Sequence, residues 1–147
     1  LGFTEGERPG MSFQRIRLSN GATWRLQQLK GKTGLTPNIL ARIALCYSLN
    51  DPLIPDPLDY DEEGQEINRY TLTGEWDAFF IALVRERCID DGLDPEDDLL
   101  PQFRAHLNRG AFFAFAQVKD LSDFQKLMPI SQVRLSADSS SGEGNGT

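Results

Sequence analysis

From Arg8 to Asn50 the chain has no Asp or Glu, although its 147 residues carry 22 acidic side chains against 15 basic ones. Histidine is almost as scarce. His106 stands alone, so a histidine metal cluster has no second ligand of its kind. The two cysteines, Cys46 and Cys88, are far apart and make no CxxC pair. Both fall inside helical patterns and are expected to be buried free thiols, as a reducing cytoplasm would keep them. No apolar run approaches the ~20 residues that a membrane helix needs, and no basic-then-apolar leader opens the sequence. These absences argue against metal and membrane readings and favour free thiols over a disulfide, and the expectation is a cytoplasmic protein without a cofactor.

What fills the acid-free stretch is basic: Arg15, Arg17, Arg25, Lys30, Lys32 and Arg42. Residues 1–42 carry seven bases and two acids, whereas residues 43–100 carry three bases and sixteen acids. A net charge of −7 excludes coating of nucleic acid by bulk charge. A local basic face remains suited to a polyanion, because Lys and Arg displace counterions condensed on phosphates whatever the charge elsewhere.

The length and the 39% hydrophobic content fit one domain. Residues 1–12 are expected to be an N-terminal extension, since Leu1 is not a start residue and Met11 sits just before the patterned region. Residues 13–128 make the domain, and the composition of 129–147, ending in SADSSSGEGNGT, is that of a flexible tail. From Phe13 to Leu18 the residues alternate, which predicts a short strand with Phe13, Arg15 and Arg17 on one face and Gln14, Ile16 and Leu18 on the other. Ser19 or Asn20 caps a helix that buries Ala22, Leu26 and Leu29, and Gly31 and Gly34 end it. Thr36, through its hydroxyl, and Pro37 start a second helix that is apolar on nearly every side and is expected in the core or a subunit interface.

Pro52, Pro55 and Pro57 then force a loop that becomes acidic up to Glu66. Ile67–Leu72 reads as a brief strand. A long helix is expected to open at Thr73 or Gly74, burying Trp76, Phe79, Phe80, Leu83 and Val84, with Gly92 closing it. Asp94 and Pro95 open the next, with Glu96, Asp97 and Asp98 in its first turn. Leu99, Leu100, Phe103 and Leu107 carry that helix inward, and Phe112, Phe113 and Phe115 fill the core or an oligomer contact.

Two motifs look chemical and are not. Gly31, Lys32 and Thr33 end like a phosphate-binding P-loop, but Leu26 occupies the place of its first glycine and no strand precedes them. The acids at 94–98 lack the alternation and terminal glutamate of a calcium loop. With no activated nucleophile or metal set, no enzyme is expected.

The strand, helix, turn, helix order over residues 13–50 is that of ribbon-helix-helix proteins, which pair the strand with its twin and anchor phosphates at the second helix's N-terminus. Arg15 and Arg17 would read DNA, and Thr36, Pro37 and Asn38 would supply that N-terminus. The wording RIRLSNGATWRLQQLKGKTGLTPNILARIAL, above all TGLTPN followed by ARIAL, resembles the DNA sulfur modification protein DndE family. The similarity continues more loosely through Thr73–Val84 and the closing LSDFQKL. It implies a mainly α-helical domain, related to ribbon-helix-helix proteins, that assembles as a tetramer. It also implies binding of nicked or duplex DNA through a basic first helix, beside sulfur-transfer and ATPase subunits that replace a phosphate oxygen by sulfur. On this chain the resemblance points to Arg25, Lys30 and Lys32 as phosphate contacts, with Arg15 and Arg17 second, and Gln27 and Gln28 stand where more lysine is expected. The alternatives are a ribbon-helix-helix repressor, or a protein scaffold that never touches DNA.

Overall fold

The computed structural model describes residues 13–118. The extension over 1–12, the LSDFQKL segment and the tail over 129–147 lie outside the described residues.

Alternation produces the first element, β1 (Arg15–Arg17), with Ile16 buried between two exposed arginines. Its partner belongs to the same chain: β2 (Glu66–Asn68) runs antiparallel to it, with Arg15 opposite Asn68, Ile16 opposite Ile67 and Arg17 opposite Glu66. The ribbon is therefore intramolecular, where the ribbon-helix-helix expectation had β1 pair with its twin. The strand expected over Ile67–Leu72 stops at Asn68, whose side chain accepts from the amides of Tyr70 and Thr71 and starts helix α3 (Arg69–Thr73). Phe13 is also corrected: it leaves the arginine face and is buried against Phe103, ring centroids 5.6 Å apart.

Helix α1 (Asn20–Thr33) is capped by Ser19, whose hydroxyl accepts from the Ala22 amide, and it buries Ala22, Leu26 and Leu29 as their spacing predicts. It runs through Gly31 and ends only at Gly34, whose φ of 78° suits a residue without Cβ. Helix α2 (Pro37–Leu49) begins where proline predicts, but the Thr36 hydroxyl donates to Asn38 Oδ1 instead of capping an amide. It buries Leu40, Ala41, Ala44, Leu45 and Ser48 on one side; Ile39 and Cys46 face solvent, so only Cys88 is a buried thiol.

Gly74, with φ of 59°, separates α3 from α4 (Asp77–Asp90) through a 3-10 turn at Gly74–Trp76. Helix α4 turns Phe80, Val84 and Cys88 inward, and Trp76 and Phe79, expected inside, are each 54% exposed. Asp94 makes a turn, accepting from the amides of Glu96 and Asp97, and the last helix, α5 (Leu99–Gln117), begins after those acids.

It is α5 that occupies the middle. Every residue from Gln102 to Ala111 is buried, and α2 makes the most extensive helix pairing with it. The helices cross at Gly110, where a Cβ would come within 1.7 Å of the Ala44 carbonyl oxygen. No helix among the described residues is long and apolar enough to cross a membrane.

Candidate nucleic-acid interface

A central helix carrying Gln102, Arg104, His106, Asn108 and Arg109 is stable only if their polar atoms are satisfied. Backbone carbonyls of β1, α2 and the 51–61 loop do most of this, while Gln102 Oε1 and His106 Nε2 have no hydrogen-bond partner among the described residues. Arg104 donates to the carbonyls of Arg17, Pro57, Tyr60 and Asp61, and Arg109 to those of Ser48 and Leu53. Gln102 donates to the Pro55 carbonyl at 3.1 Å, and Asn108 accepts from the Ser19 amide at 2.8 Å. From α4, Arg87 reaches the Leu49 and Leu53 carbonyls while pairing with Asp91 at 2.9 Å. The proline-rich loop is thus pinned from below, and these cations are spent on architecture.

Ser48 and His106 have the look of a catalytic pair, with Ser48 Oγ 2.9 Å from His106 Nδ1. Both are wholly buried, and Arg109 Nε donates to the same hydroxyl. Burial, reinforced by the Arg87 and Arg109 charges, pushes the imidazole down to about 3, so it is neutral and inaccessible to substrate. Among the described residues no group of three or more His, Cys, Asp or Glu is arranged to hold a metal ion.

The cations of the acid-free stretch fall into three environments. Arg15 and Arg17 share one face of the ribbon, and both pair with Glu66, at 2.9 and 2.8 Å; Arg17 also donates to the Gly64 carbonyl. Arg42 turns inward to the Leu72 carbonyl. Arg25, Lys30 and Lys32 on α1 have no carboxylate partner among the described residues.

Those three do not form one cluster. Arg25 and Lys32 are seven residues apart and share a face, where the Arg25 guanidinium lies 4.1 Å from the Phe112 ring centre and the Lys32 ammonium 4.8 Å from that of Phe115. Lys30 is turned away by about 140°. It lines a shallow groove with Leu26, Gln27, Pro37, Gln65 and Ile67, between the start of α2 and the ribbon. No side chain caps that start and no acid lies in its first turn, so its amides and Lys30 present positive charge together.

Sequence reasoning missed the rings beneath the α1 cations. Phe112 and Phe115 are half-buried at the outer end of α5, and Trp24, 49% exposed, completes the group with its ring centre 5.3 Å from that of Phe115. The available signal was position: Trp24 sits two residues from both Ala22 and Leu26 of the buried stripe, on the opposite side of α1.

The chain matches the family of the DNA sulphur modification protein DndE over residues 15–122. Among solved structures it is similar to that of DndE from Escherichia coli B7A, involved in DNA phosphorothioation modification. The two are 27% identical with a TM-score of 0.55, covering 68% of this chain and 95% of that one. A DndE mutant involved in DNA phosphorothioation shares the fold at 24% identity and a TM-score of 0.56, covering 69% of this chain and 96% of that one. No curated protein matches the chain. With the family match spanning more than half of its length, the chain belongs to the DndE family of DNA sulphur modification proteins.

Proposed function

We propose that this protein is a non-catalytic DNA-binding and assembly subunit of a DNA phosphorothioation system. It holds the backbone of nicked or duplex DNA against α1 while sulfur-transfer and ATPase subunits do the chemistry. The observation that carries the reading is the contrast on one acidic molecule between the other cations of the described residues, which are paired or pinned, and Arg25, Lys30 and Lys32, which no carboxylate among the described residues neutralises. Because Lys30 points away from Arg25 and Lys32, the two sides of α1 meet different phosphates. Lys30 acts with the amides that open α2, and Arg25 with Lys32 acts from the aromatic side. Arg15 and Arg17 take a secondary part, since Glu66 must release them first.

The protein works as a homo-oligomer, a tetramer. Tyr70 on α3, Trp76 in the 3-10 turn and Phe79 on α4, each about half exposed, supply apolar surface for such contacts. The test joins solution mass with titration of nicked and intact duplex at two salt concentrations, for the native protein and for Arg25→Gln/Lys30→Gln/Lys32→Gln. The variant is expected to keep its mass and lose about 0.9 from the log–log salt slope per phosphate contact removed. An unchanged slope and affinity would overturn the α1 interface.

A further inference from the structure

We infer that Trp24 is a stacking site for a nucleobase released from the duplex stack at a strand break, with Arg25 and Lys32 holding the adjoining phosphates. The inference rests on the reading of α1 as a DNA face and says what feature of the DNA that face selects.

Three observations converge on it. First, Trp24 is a large ring kept half outside: it lies opposite the buried stripe of α1, and its tilted contact with Phe115 fixes the indole without covering it. Second, its neighbours are cations without carboxylates among the described residues. The Arg25 guanidinium carbon is 5.7 Å from the Trp24 ring centre and 5.6 Å from that of Phe115, over which Lys32 also sits. A ring with a base-stacking face beside two cations suits a single-stranded segment, where stacking is tolerant of sequence and the charges track the backbone. Third, the arrangement is held from behind. The Arg25 guanidinium rests on Phe112 and donates to the Gly21 carbonyl at 3.1 Å, and Gly21 leaves room for both. A Cβ there would stand 2.9 Å from Phe112 Cζ and 3.3 Å from Arg25 Nη1.

The other exposed tryptophan gives the contrast. Trp76 sits between Glu75 and Asp77, and the nearby Arg69 is committed to Asp77 through two hydrogen bonds of 2.8 and 2.9 Å. Phosphate is repelled there, so an aromatic ring alone is not the signature. Trp24 differs by cations that no carboxylate among the described residues neutralises.

Trp24 and Trp76 are the two tryptophans of the chain, so Trp76→Phe leaves Trp24 as the single indole reporter. This variant, after its solution mass is checked against that of the native protein because Trp76 belongs to the proposed contact surface, is titrated with three duplexes of the same sequence: intact, nicked, and carrying a short gap. Indole fluorescence is expected to be quenched by the gapped and nicked duplexes and to change little with the intact one. Trp24→Ala is expected to weaken gapped-duplex binding about tenfold, and intact-duplex binding less than twofold, while Trp24→Phe keeps most of the preference. Salt-sensitive binding to all three duplexes with no quenching and no selective loss would leave the DNA face standing and overturn the stacking site. Binding of no duplex by the native protein would overturn both. A change in solution mass in Trp24→Ala with unaltered DNA affinity would assign the ring to contact between copies of the chain, which also overturns stacking.

Discussion

The arginines of α5 and the cations of α1 are the same chemical type put to opposite uses. Arg104 and Arg109 are buried and surrounded by carbonyls, the first reaching four and the second two. Arg25 and Lys32 lie on aromatic rings and Lys30 beside a groove, with no carboxylate against any of them among the described residues. A guanidinium that fills its donors with backbone oxygens fixes a loop. One that rests on a ring and spends a single donor on a carbonyl, as Arg25 does on Gly21, keeps its charge unneutralised. Net charge in a sequence window does not distinguish the two; the partner of each donor does.

The sharpest break of that comparison is Arg104→Ala. Four carbonyls would lose a donor at once, although that of Pro57 keeps the Tyr60 amide, and the 57–61 segment would come away from α5. The expected cost is about 3–5 kcal/mol, measured by urea unfolding. Arg104→Lys should recover only part of it, because an ammonium lacks the fork that spans several oxygens. A loss under about 1 kcal/mol in Arg104→Ala would show that the loop holds without its clamp.

The next effect concerns pH. His106 is buried and neutral, with its ionisation pushed down to about 3 from an ordinary value near 6.5, by burial first and then by Arg87 and Arg109. Below pH 6.5 the unfolded chain takes a proton that the folded chain refuses, so stability is greatest above that pH and declines as pH falls toward 3. The slope approaches about 1.4 kcal/mol per pH unit. Asp77, held low chiefly by its hydrogen bonds from Arg69, and Asp94, held low by backbone amides, add their losses only as pH falls through the carboxylate range. Between pH 6.5 and 5 the decline is therefore chiefly the histidine's. His106→Asn, which keeps a polar group toward Ser48 and cannot titrate, should flatten it in a series of denaturation curves.

Outside the core the expectation reverses. Arg25→Gln/Lys30→Gln/Lys32→Gln should cost under about 2 kcal/mol, from lost contacts with the rings, while DNA affinity falls steeply at low salt. Equal losses of stability and affinity would make the α1 cations structural after all.

The sequence announced some of this division and concealed the rest, for physical reasons. Ala22, Leu26 and Leu29 mark the buried side of α1 because their spacing matches the helix and their neighbours are polar. The start of α2 was legible from Pro37, whose fixed φ suits a first turn. The inward course of α5 was legible from Leu99, Phe103 and Leu107, but the burial of its polar residues was not. Gln102, Arg104 and Arg109 break the apolar pattern, and only the folded chain brings the carbonyls of Pro55, Arg17 and Ser48 to them. Trp76 and Phe79 were misplaced for a different reason: Trp76 falls in the 3-10 turn before α4, and within α4 the buried side centres on Phe80, Val84 and Cys88, one residue's rotation away from Phe79. For the candidate site, the acid-free stretch located α1. The pairing of Arg15 and Arg17 with Glu66, a residue fifty positions away, depended on a strand partner that local pattern does not specify.

The smallest effect tests whether the ribbon belongs with the clamp or with the open face. Glu66 holds both Arg15 and Arg17 on a surface where Arg15 is 73% exposed, so each ion pair is worth only about 0.2–1 kcal/mol. Glu66→Gln should barely move the unfolding midpoint, because the β1–β2 backbone pairing and the Ile16–Ile67 contact remain. It removes one negative charge and frees two guanidiniums, apart from the Arg17 bond to Gly64. If those side chains reach phosphate, duplex affinity should rise a few-fold at low salt, and the gain should vanish when Arg15 and Arg17 are also changed to Gln. A gain that survives their removal would reflect the lost acid alone. The ribbon arginines would then be a cross-strand brace, leaving Arg25, Lys30 and Lys32 as the proposed DNA contacts.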